Sequence, residues 1–526
     1  MSYIRIRGLA RCARIAATRP LGNQRPGYRP QEMHDGAGRP ERDVWIDLLR
    51  VGSVAIVVLG HWLTTTVIWS NDYMGIENAL SVVRSSHPVT WLIQVMPLMF
   101  FVGGFSNQRS YARHDGSYLP FLRTRYIRLL QPTLWFIAIW TAVAIGAEVS
   151  GMALPNLVDR AADLAALPFW FLGLYVFVVA LAPPMLGLHR RFGWRVLAAL
   201  ALGAVLVDVG YHGLGIEHLG ALNFGFVWLL AHQLGFFYAD GTLLQVPRRT
   251  VAWVVAASLA GLIVLTTAGG YPVSMVGVPG DDRWNTNPPS FALIVLTLWL
   301  VGVALLLRPI LLRLLSSRRA ARFVTRANRR VLTAFLWHVS ALAIAAAAMY
   351  PLGMPQPATG SGHWWVQRPL WIAVSFCVLV LLVALLGRFE AHPSPSIPAV
   401  YPSGAYAASA VAVVSIGLGV LGFGVTGFNR IADSLGEGVL GFNLNPLANL
   451  IHLGMGLLLL ASVFGLKSDR WRIALVSVSA VYLAIGVTGL GNGLDTLGTN
   501  RETAALQLAI GVIGALLLAW SWRSRK

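Results

Sequence analysis

The sequence predicts an all-α, polytopic integral membrane protein, and three observations support this prediction. Of the 526 residues, 56% are hydrophobic and only 12% are charged, whereas charged residues make up about a quarter of an ordinary soluble domain. Apolar runs of about twenty residues, each long enough to cross a bilayer as a helix, recur along the chain. Arginine and lysine are concentrated in alternate connections between these runs, as the positive-inside rule requires of a multi-pass protein.

The apolar runs predict about fourteen transmembrane helices. Polar breaks bound each run, and Asp208 and His232 interrupt the fifth and sixth runs. The predicted helices cover residues 44–68, 89–108, 129–149, 166–187, 194–211, 221–239, 250–270, 290–312, 331–350, 367–387, 405–427, 446–466, 471–490 and 503–522.

The basic residues predict an orientation in which both ends of the chain are cytoplasmic. With the N-terminus placed inside, the basic clusters at 109–128, 190–195, 248–249, 313–330, 467–472 and 523–526 all fall in cytoplasmic segments. No outside connection then holds more than one arginine. Since one missed helix would move every later cluster to the wrong side, the distribution supports an even number of helices in the plasma membrane.

The chain divides into four predicted segments. Residues 1–43 contain nine arginines and no apolar core long enough for a signal peptide, so we expect a basic, disordered cytoplasmic leader. Residues 44–387 form a membrane domain of ten predicted helices. The stretch 388–404 contains four prolines and predicts an extended linker. Residues 405–526 form a membrane domain of four predicted helices, with a short basic tail.

Several other classes of protein lack support in the sequence. The net charge of +19 comes from short arginine clusters rather than one basic domain, so we expect no nucleic-acid partner. Cys12 lies in the leader and Cys377 in an apolar run, which argues against a disulfide framework, redox chemistry or a thiolate metal site. Two G-x-G-x-x-G patterns between Gly417 and Gly427 lie inside helix eleven with no strand before them. They therefore indicate helix packing rather than dinucleotide binding.

The first predicted helix carries three polar residues where hydrocarbon is expected. The step of eleven residues from Arg50 to His61 is close to three helical turns, so both side chains project from one face, about 16 Å apart along the axis. Asp47 is a neighbour of Arg50 on that face. Ionisable groups inside a membrane usually mark function, although Arg50 could instead extend to the interface with Asp47 as its partner, and His61 could be a packing residue.

These residues resemble the first helix of the membrane-bound acyltransferase family three, in which an arginine is followed by ten residues and a histidine. Asp47 and Leu49 match the acidic and leucine positions before the arginine, Arg50, and His61 matches the histidine. Gly103 departs from the pattern, because many members have serine there. Further segments resemble family motifs in the same order, and these are PLMFFVGGFSNQRS at 97–110, FLRTRYIRLLQP at 121–132, PFWFL at 168–172 and FLWH at 335–338.

The resemblance, which covers about residues 40–390, implies an O-acyltransferase. Such an enzyme transfers an acyl group, often acetyl, from cytoplasmic acyl-CoA to a hydroxyl group. The acceptor would be an envelope carbohydrate, a lipid or an exported small molecule. The donor would be a substrate, and no tightly bound cofactor is expected. His61 would act as a general base or as a transient acyl carrier.

The resemblance also assigns roles to four other residues of the membrane domain. Arg50, Arg125 and Arg128 would lie toward the cytoplasmic mouth and hold the phosphates of coenzyme A. Asp47 would orient Arg50. His338, in helix nine, would line the same cavity, with a purely structural histidine as the alternative.

A transporter or flippase of an envelope precursor is the main alternative, and a noncatalytic membrane scaffold is a further one. A transporter would also use intramembrane charges, but the two domains have ten and four predicted helices, with no matching pair of broken helices to suggest inverted repeats. The sequence therefore favours an acyltransferase over both alternatives.

The second membrane domain resembles a four-helix domain of unknown function in actinobacterial proteins. Asn445, Pro446, Asn449 and His452 carry this resemblance. Asn449 and His452 are one turn apart, and we expect them to form hydrogen bonds between helices in a structural or regulatory role.

The outside loops also contain residues suited to binding sugars. These residues are Asp281, Asp282, Arg283, Trp284, His363, Trp364 and Trp365. For the tryptophans, anchoring at the membrane interface is the favoured interpretation.

Overall fold

A computed structural model describes residues 43–70, 73–150, 155–390, 401–429, 438–439, 442–465, 470–491 and 500–523. The predicted leader, apart from Asp43, lies outside the described residues, as do residues 391–400 of the predicted linker.

Fourteen helices within the described residues are long and apolar enough to cross a membrane. The predicted all-α membrane fold is therefore confirmed. The long helix of each span is, in chain order, α1 (Val44–Thr64), α2 (Met96–Ala112), α3 (Tyr118–Ser150), α4 (Phe169–Phe192), α5 (Trp194–Asp208), α6 (Leu222–Ala239), α7 (Arg248–Thr267), α8 (Phe291–Leu315), α9 (Val331–Met349), α10 (Gly362–Leu386), α11 (Ser403–Thr426), α12 (Pro446–Phe464), α13 (Arg470–Leu490) and α14 (Arg501–Arg523). Helices α2 and α5 reach membrane-spanning length only together with the short helical segments beside them, in the spans Arg84–Ala112 and Trp194–Gly213.

Shorter elements connect the long helices. Short α-helices cover Ala79–Val82, Thr90–Ile93, Pro155–Ala165, Thr242–Gln245 and Arg318–Asn328. Short segments of other helical types cover Arg84–Val89, Val209–Gly213, Glu217–Ala221 and Gly387–Phe389. Two antiparallel hairpins pair β1 (Thr65–Ser70) with β2 (Tyr73–Asn78) and β3 (Gly438–Val439) with β4 (Phe442–Asn443).

The structure differs from the predicted boundaries of several helices, and three of these differences have a local cause in the sequence. Helix α1 ends at Thr64 rather than at residue 68, because the β-branched run that follows pairs with β2 in the first hairpin. Helix α2 begins at Met96 rather than at residue 89, with Pro97 in its first turn, where proline is favoured. Helix α3 begins at Tyr118 rather than at residue 129, since its basic stretch continues the helix beyond the apolar run.

A buried arginine holds the C-terminal end of α1 in place. Arg368 of α10 donates hydrogen bonds to the carbonyl oxygens of Trp62 at 3.4 Å and of Thr65 at 3.0 Å. Its guanidinium group also lies 3.9 Å from the centre of the Trp364 ring. The C-terminal end of a helix carries partial negative charge, and an aromatic face attracts a cation. Arg368 therefore caps the C-terminal end of α1. One of the carbonyl oxygens that it bonds belongs to Trp62, the residue directly after His61.

Two glycines bring α2 and α6 into backbone contact. A Cβ atom at Gly104 would lie 1.9 Å from the carbonyl oxygen of His232, and one at Gly235 would lie 2.1 Å from that of Phe101. Beside this contact, the Asn107 side chain forms a 3.0 Å hydrogen bond with the His232 ring. Only glycine permits such a close approach, which places α2 firmly in the core.

Helix α11 of the second membrane domain packs directly on α4 of the first. A Cβ atom at Gly173 would lie 2.4 Å from Leu421, and one at Gly424 would lie 2.8 Å from the backbone nitrogen of Trp170. A Cβ atom at Gly417 would similarly overlap a ring of α4. The glycines of the G-x-G-x-x-G patterns therefore serve helix packing, as expected from the sequence.

Hydrogen bonds between helices connect the second domain internally. The His452 ring bonds the Tyr482 hydroxyl at 2.7 Å, and this hydroxyl donates to Ser415 at 2.9 Å. Asn449 donates to the Thr426 hydroxyl at 2.9 Å. The expected contacts of Asn449 and His452 between helices are thus present, and they join α11, α12 and α13.

Replacing Gly235 by alanine should destabilise the protein, because the added methyl carbon would overlap the Phe101 carbonyl oxygen and force α2 and α6 apart. Overpacking of this kind costs about 1–3 kcal/mol. Gly225→Ala, in the same helix with open space around the new methyl group, is the matched control and should be neutral or slightly stabilising. Thermal unfolding in detergent measures both variants, and equal melting temperatures would contradict the expected difference.

Candidate active site

The candidate site follows one face of α1 and involves five other helices. Its residues come from α1, α2, α3, α4, the short helix Arg318–Asn328 and α9. Polar groups are gathered at two levels along α1, one around Arg50 and the other around His61.

At the first level, Arg50 is held by side chains from three elements. Its guanidinium group donates to the Asp47 carboxylate at 3.4 Å, to the Asn328 side-chain oxygen at 3.0 Å and to the Ser106 hydroxyl at 2.5 Å. Asn328 in turn donates to Asp47 at 2.7 Å. The predicted pairing of Asp47 with Arg50 is present, and the two side chains are 8% and 18% exposed. Burial of both charges requires such a network, because an unpaired charge would be costly.

A cavity of about 110 Å³ lies beside Arg50. Three arginines, Arg50, Arg125 and Arg128, line it together with a single carboxylate, Glu390. The remaining lining residues are Val54, Met99, Val102, Gly103, Ser106, Leu129, Phe171, Tyr175, Val331, Leu332 and Phe335. The structure thus brings all three predicted donor-site arginines into one cavity with excess positive charge.

Tyr175 of α4 explains the departure at Gly103. The Tyr175 hydroxyl accepts a 3.0 Å hydrogen bond from Arg125, and its ring lies directly over Gly103. A Cβ atom at residue 103 would lie 2.9 Å from the hydroxyl oxygen and from a ring carbon. A serine here would therefore displace the Tyr175 ring, and with it the group that orients Arg125.

Glu390 lies at the edge of the cavity, just beyond the last membrane-spanning residues of α10. Its carboxylate accepts hydrogen bonds from the Thr333 backbone nitrogen at 3.0 Å and from the Thr333 hydroxyl at 2.8 Å. Burial raises the pKa of Glu390, while the bonds to Thr333 and the charge of Arg128 lower it in part. Glu390 therefore ties the end of α10 to the start of α9 at the cavity wall.

At the second level, His61 and His338 form a directly bonded pair. His61 Nδ1 lies 2.7 Å from His338 Nε2, and His338 Nδ1 lies 2.5 Å from the carbonyl oxygen of Phe335. A carbonyl oxygen only accepts, so Nδ1 of His338 carries the proton. With both rings neutral, His338 Nε2 accepts from His61 Nδ1–H, and the Nε2 atom of His61 keeps a free lone pair.

The two levels are connected through Phe335. This residue lines the cavity and its carbonyl oxygen accepts the hydrogen bond from His338. Along α1, the step of seven positions from Val54 at the cavity to His61 corresponds to about 10 Å. His338 itself is fully buried, and its own carbonyl oxygen accepts a 2.9 Å bond from Trp62. The histidine pair therefore lies beyond the cavity rather than on its wall.

Three of the seven loop residues proposed to bind sugars make contacts within the protein. Asp281 forms a 3.0 Å ion pair with Arg84, and the indole nitrogen of Trp284 donates to a carbonyl oxygen of its own loop. Trp364 is buried and donates to the Thr66 hydroxyl at 3.0 Å. Interfacial anchoring was therefore the wrong interpretation for Trp364, which packs against Arg368, while Trp365 is 47% exposed.

The sequence interpretation missed four residues of the site. Ser106 lies in the glycine-phenylalanine segment already singled out in α2. It is three residues after Gly103, about one helical turn, so the sequence could have indicated that both face the same side. Asn328, Tyr175 and Glu390 carried no signal, because they come from a basic connection, an apolar helix and a proline-rich stretch.

The fold and the site define a multi-pass membrane protein with a cationic cavity beside a buried histidine pair. A family model described as an acyltransferase domain matches residues 43–388, and the chain belongs to this family, acyltransferase family three. A model described as a domain of unknown function matches residues 405–520. The predicted families and their order are thus confirmed. Comparison with curated proteins and with solved structures gave no match.

Asp47→Asn should destabilise the protein, because it removes the carboxylate that neutralises Arg50 near Arg125 and Arg128. A hydrogen bond to a charged group contributes about 1.5–3 kcal/mol. Asp115→Asn, at an exposed loop position, is the matched control and should leave stability unchanged. Thermal unfolding in detergent tests both, and an unaltered melting temperature for Asp47→Asn would show that the carboxylate does not support the cluster.

Proposed function

We propose that this acyltransferase transfers an acyl group, in our view acetyl, from acyl-CoA to a hydroxyl group. The acceptor we propose is an envelope carbohydrate, a lipid or an exported small molecule. The observation that carries the proposal is the chain from the Phe335 carbonyl oxygen through His338 to His61. This chain leaves His61 Nε2 with the lone pair that a general base needs.

The cationic cavity supports an anionic donor. Arg50, Arg125 and Arg128 present three guanidinium groups to one space, and guanidinium groups bind phosphates through paired hydrogen bonds. The cavity of about 110 Å³ is smaller than the about 300–1,000 Å³ of typical ligand pockets. We therefore assign it to a phosphate-bearing part of coenzyme A rather than to the whole donor.

The proposed reaction is a direct transfer with His61 as the base. Nε2 of His61 takes the proton from the acceptor hydroxyl while the hydroxyl oxygen attacks the thioester carbonyl carbon. The new ester C–O bond forms, the thioester C–S bond breaks, and the thiolate of coenzyme A leaves. The proton on His61 then passes to this thiolate, which restores the neutral imidazole.

His338 acts as a positioning residue in this proposal. Its bond to the Phe335 carbonyl oxygen fixes which of its nitrogens carries the proton, and Nε2 then fixes the proton of His61 on Nδ1. A partner on the far nitrogen of a histidine generally orients the ring and sets its tautomer. His338 therefore aims the lone pair of His61 Nε2 away from the pair.

His61→Ala should abolish acyl transfer, because general bases contribute about 10²–10⁴-fold to a rate. His338→Ala should also lower kcat, and His338→Gln should recover part of it, since a glutamine oxygen can accept from His61 Nδ1–H. The assay uses purified full-length protein in proteoliposomes with labelled acetyl-CoA and fractionated envelope glycans and lipids. His363→Ala, at an exposed outer position, is the matched control.

Undiminished product in the His61→Ala variant would exclude the assigned base. A labelled acyl group retained on the wild-type protein, and lost with His61, would instead make this residue an acyl carrier. Movement of the acceptor across the membrane without acylation would favour a transporter.

Arg125→Ala and Arg128→Ala should weaken acyl-CoA binding by about tenfold or more, because each removes a charged hydrogen-bond donor from the cavity. Tyr175→Phe should have a smaller effect in the same direction, since Arg125 loses its 3.0 Å partner. Isothermal titration calorimetry with coenzyme A measures the dissociation constant of each variant. Arg123→Ala, in the same helix but outside the cavity lining, is the control, and equal losses in all variants would refute the assignment.

A further inference from the structure

The short helix Arg318–Asn328 has two chemically different faces. At about 100° per residue, Arg318, Arg319, Arg322, Arg326 and the following Arg329 fall within an arc of about 100°. All five of these residues are exposed. The positive-inside rule accounts for the number of arginines in such a connection, but it does not account for their alignment on one stripe.

The opposite face of this helix is attached to the protein. Val324 is 5% exposed and Asn328 is 3% exposed, and the helix packs against α1. Asn328 is held by Asp47 at 2.7 Å and by Arg50 at 3.0 Å. This attachment fixes the rotation of the helix, so the arginine stripe is turned outward as a unit.

The stripe has no acidic partner among the residues that the structure describes. Within the described part of the chain, no ion pair involves any of its five guanidinium groups, and the sequence contains no aspartate or glutamate between Arg308 and His338. Five cations side by side repel each other unless anions neutralise them. The exposed guanidinium groups of the stripe are therefore suited to bind a polyanionic surface.

The location of the helix favours a lipid surface over a soluble anion. Only two residues separate it from α8 and two from α9, so both of its ends are held close to the ends of membrane helices. Phe323 lies about 40° beyond the edge of the stripe and is 69% exposed. Cationic residues beside an exposed aromatic residue are typical of helices that lie in the lipid interface.

We propose that Arg318, Arg319, Arg322, Arg326 and Arg329 form a binding surface for the phosphate head groups of anionic lipids, with Phe323 inserted among the lipid chains. Each arginine near an anionic membrane surface contributes to the attraction, which ionic strength weakens. The bound lipids neutralise the five arginines on the exposed face of the helix. On the buried face, the hydrogen bonds of Asn328 to Asp47 and Arg50 hold the same helix beside α1.

The test compares the association of spin-labelled phosphatidylglycerol and phosphatidylcholine with the full-length protein in phosphatidylcholine nanodiscs. The wild type should immobilise phosphatidylglycerol several-fold more than phosphatidylcholine, and salt should reduce this preference. Changing all five arginines of the stripe to glutamine should remove most of it. The change of the same five to lysine, which keeps the charge, should retain the preference and so separates the loss of charge from the replacement of the arginine side chains.

A second set of five exposed arginines is the matched control. Arg190, Arg191, Arg195, Arg248 and Arg249 lie in two other basic connections, and their change to glutamine should leave most of the lipid preference. An unchanged preference in the stripe variant, or an equal loss in the control, would overturn the proposal. Displacement of phosphatidylglycerol from the wild type by micromolar coenzyme A would also overturn it, because the stripe would then serve the donor.

Discussion

The cost of burying charge in a membrane interior is the constraint on which this structure depends. Arg50 satisfies it by bonding Asp47 in its own helix, Ser106 in α2 and Asn328 in a short helix far along the chain. A guanidinium group without these partners would be expelled toward water. The same bonds that make Arg50 tolerable therefore fix α1, α2 and the connection between α8 and α9 around the cavity.

The histidine pair solves a related problem without charge. His61 and His338 satisfy each other's ring nitrogens, and the Phe335 carbonyl oxygen completes the chain. A helix carbonyl oxygen is a fixed acceptor, so it orders the protons of both rings. Arg368 supports the arrangement at the C-terminal end of α1, where it bonds the carbonyl oxygens of Trp62 and Thr65. Trp62 also donates to the carbonyl oxygen of His338 in α9.

Helix α4 connects the two membrane domains to the cavity. Phe171 and Tyr175 face the cavity, while Gly173 and Trp170 contact α11 of the second domain. Because close-packed helices transmit displacement rather than absorb it, the position of Tyr175, and hence of Arg125, depends on the fit of α11. Through α4, the four-helix domain is thus in packing contact with a helix of the cavity wall, in addition to its own polar contacts between helices.

The sequence alone determined the number and type of long helices, because hydrocarbon thickness and charge asymmetry act on local stretches of chain. It also determined that Asp47, Arg50 and His61 share one face of α1, since helical periodicity requires it, and that α3 carries a cluster of basic residues. These results needed no knowledge of how the helices pack.

Only the tertiary structure decided the partners of those residues. Asn328 and His338 are more than 270 positions from the α1 residues that they bond, and no periodicity within a helix can relate positions so distant. Tyr175 became part of the site because Gly103 leaves room for its ring. The early end of α1 depended on strand pairing beyond Thr64, and Glu390 entered the cavity wall through its bonds to Thr333. Each of these contacts is made across elements, where packing rather than local pattern selects the neighbour.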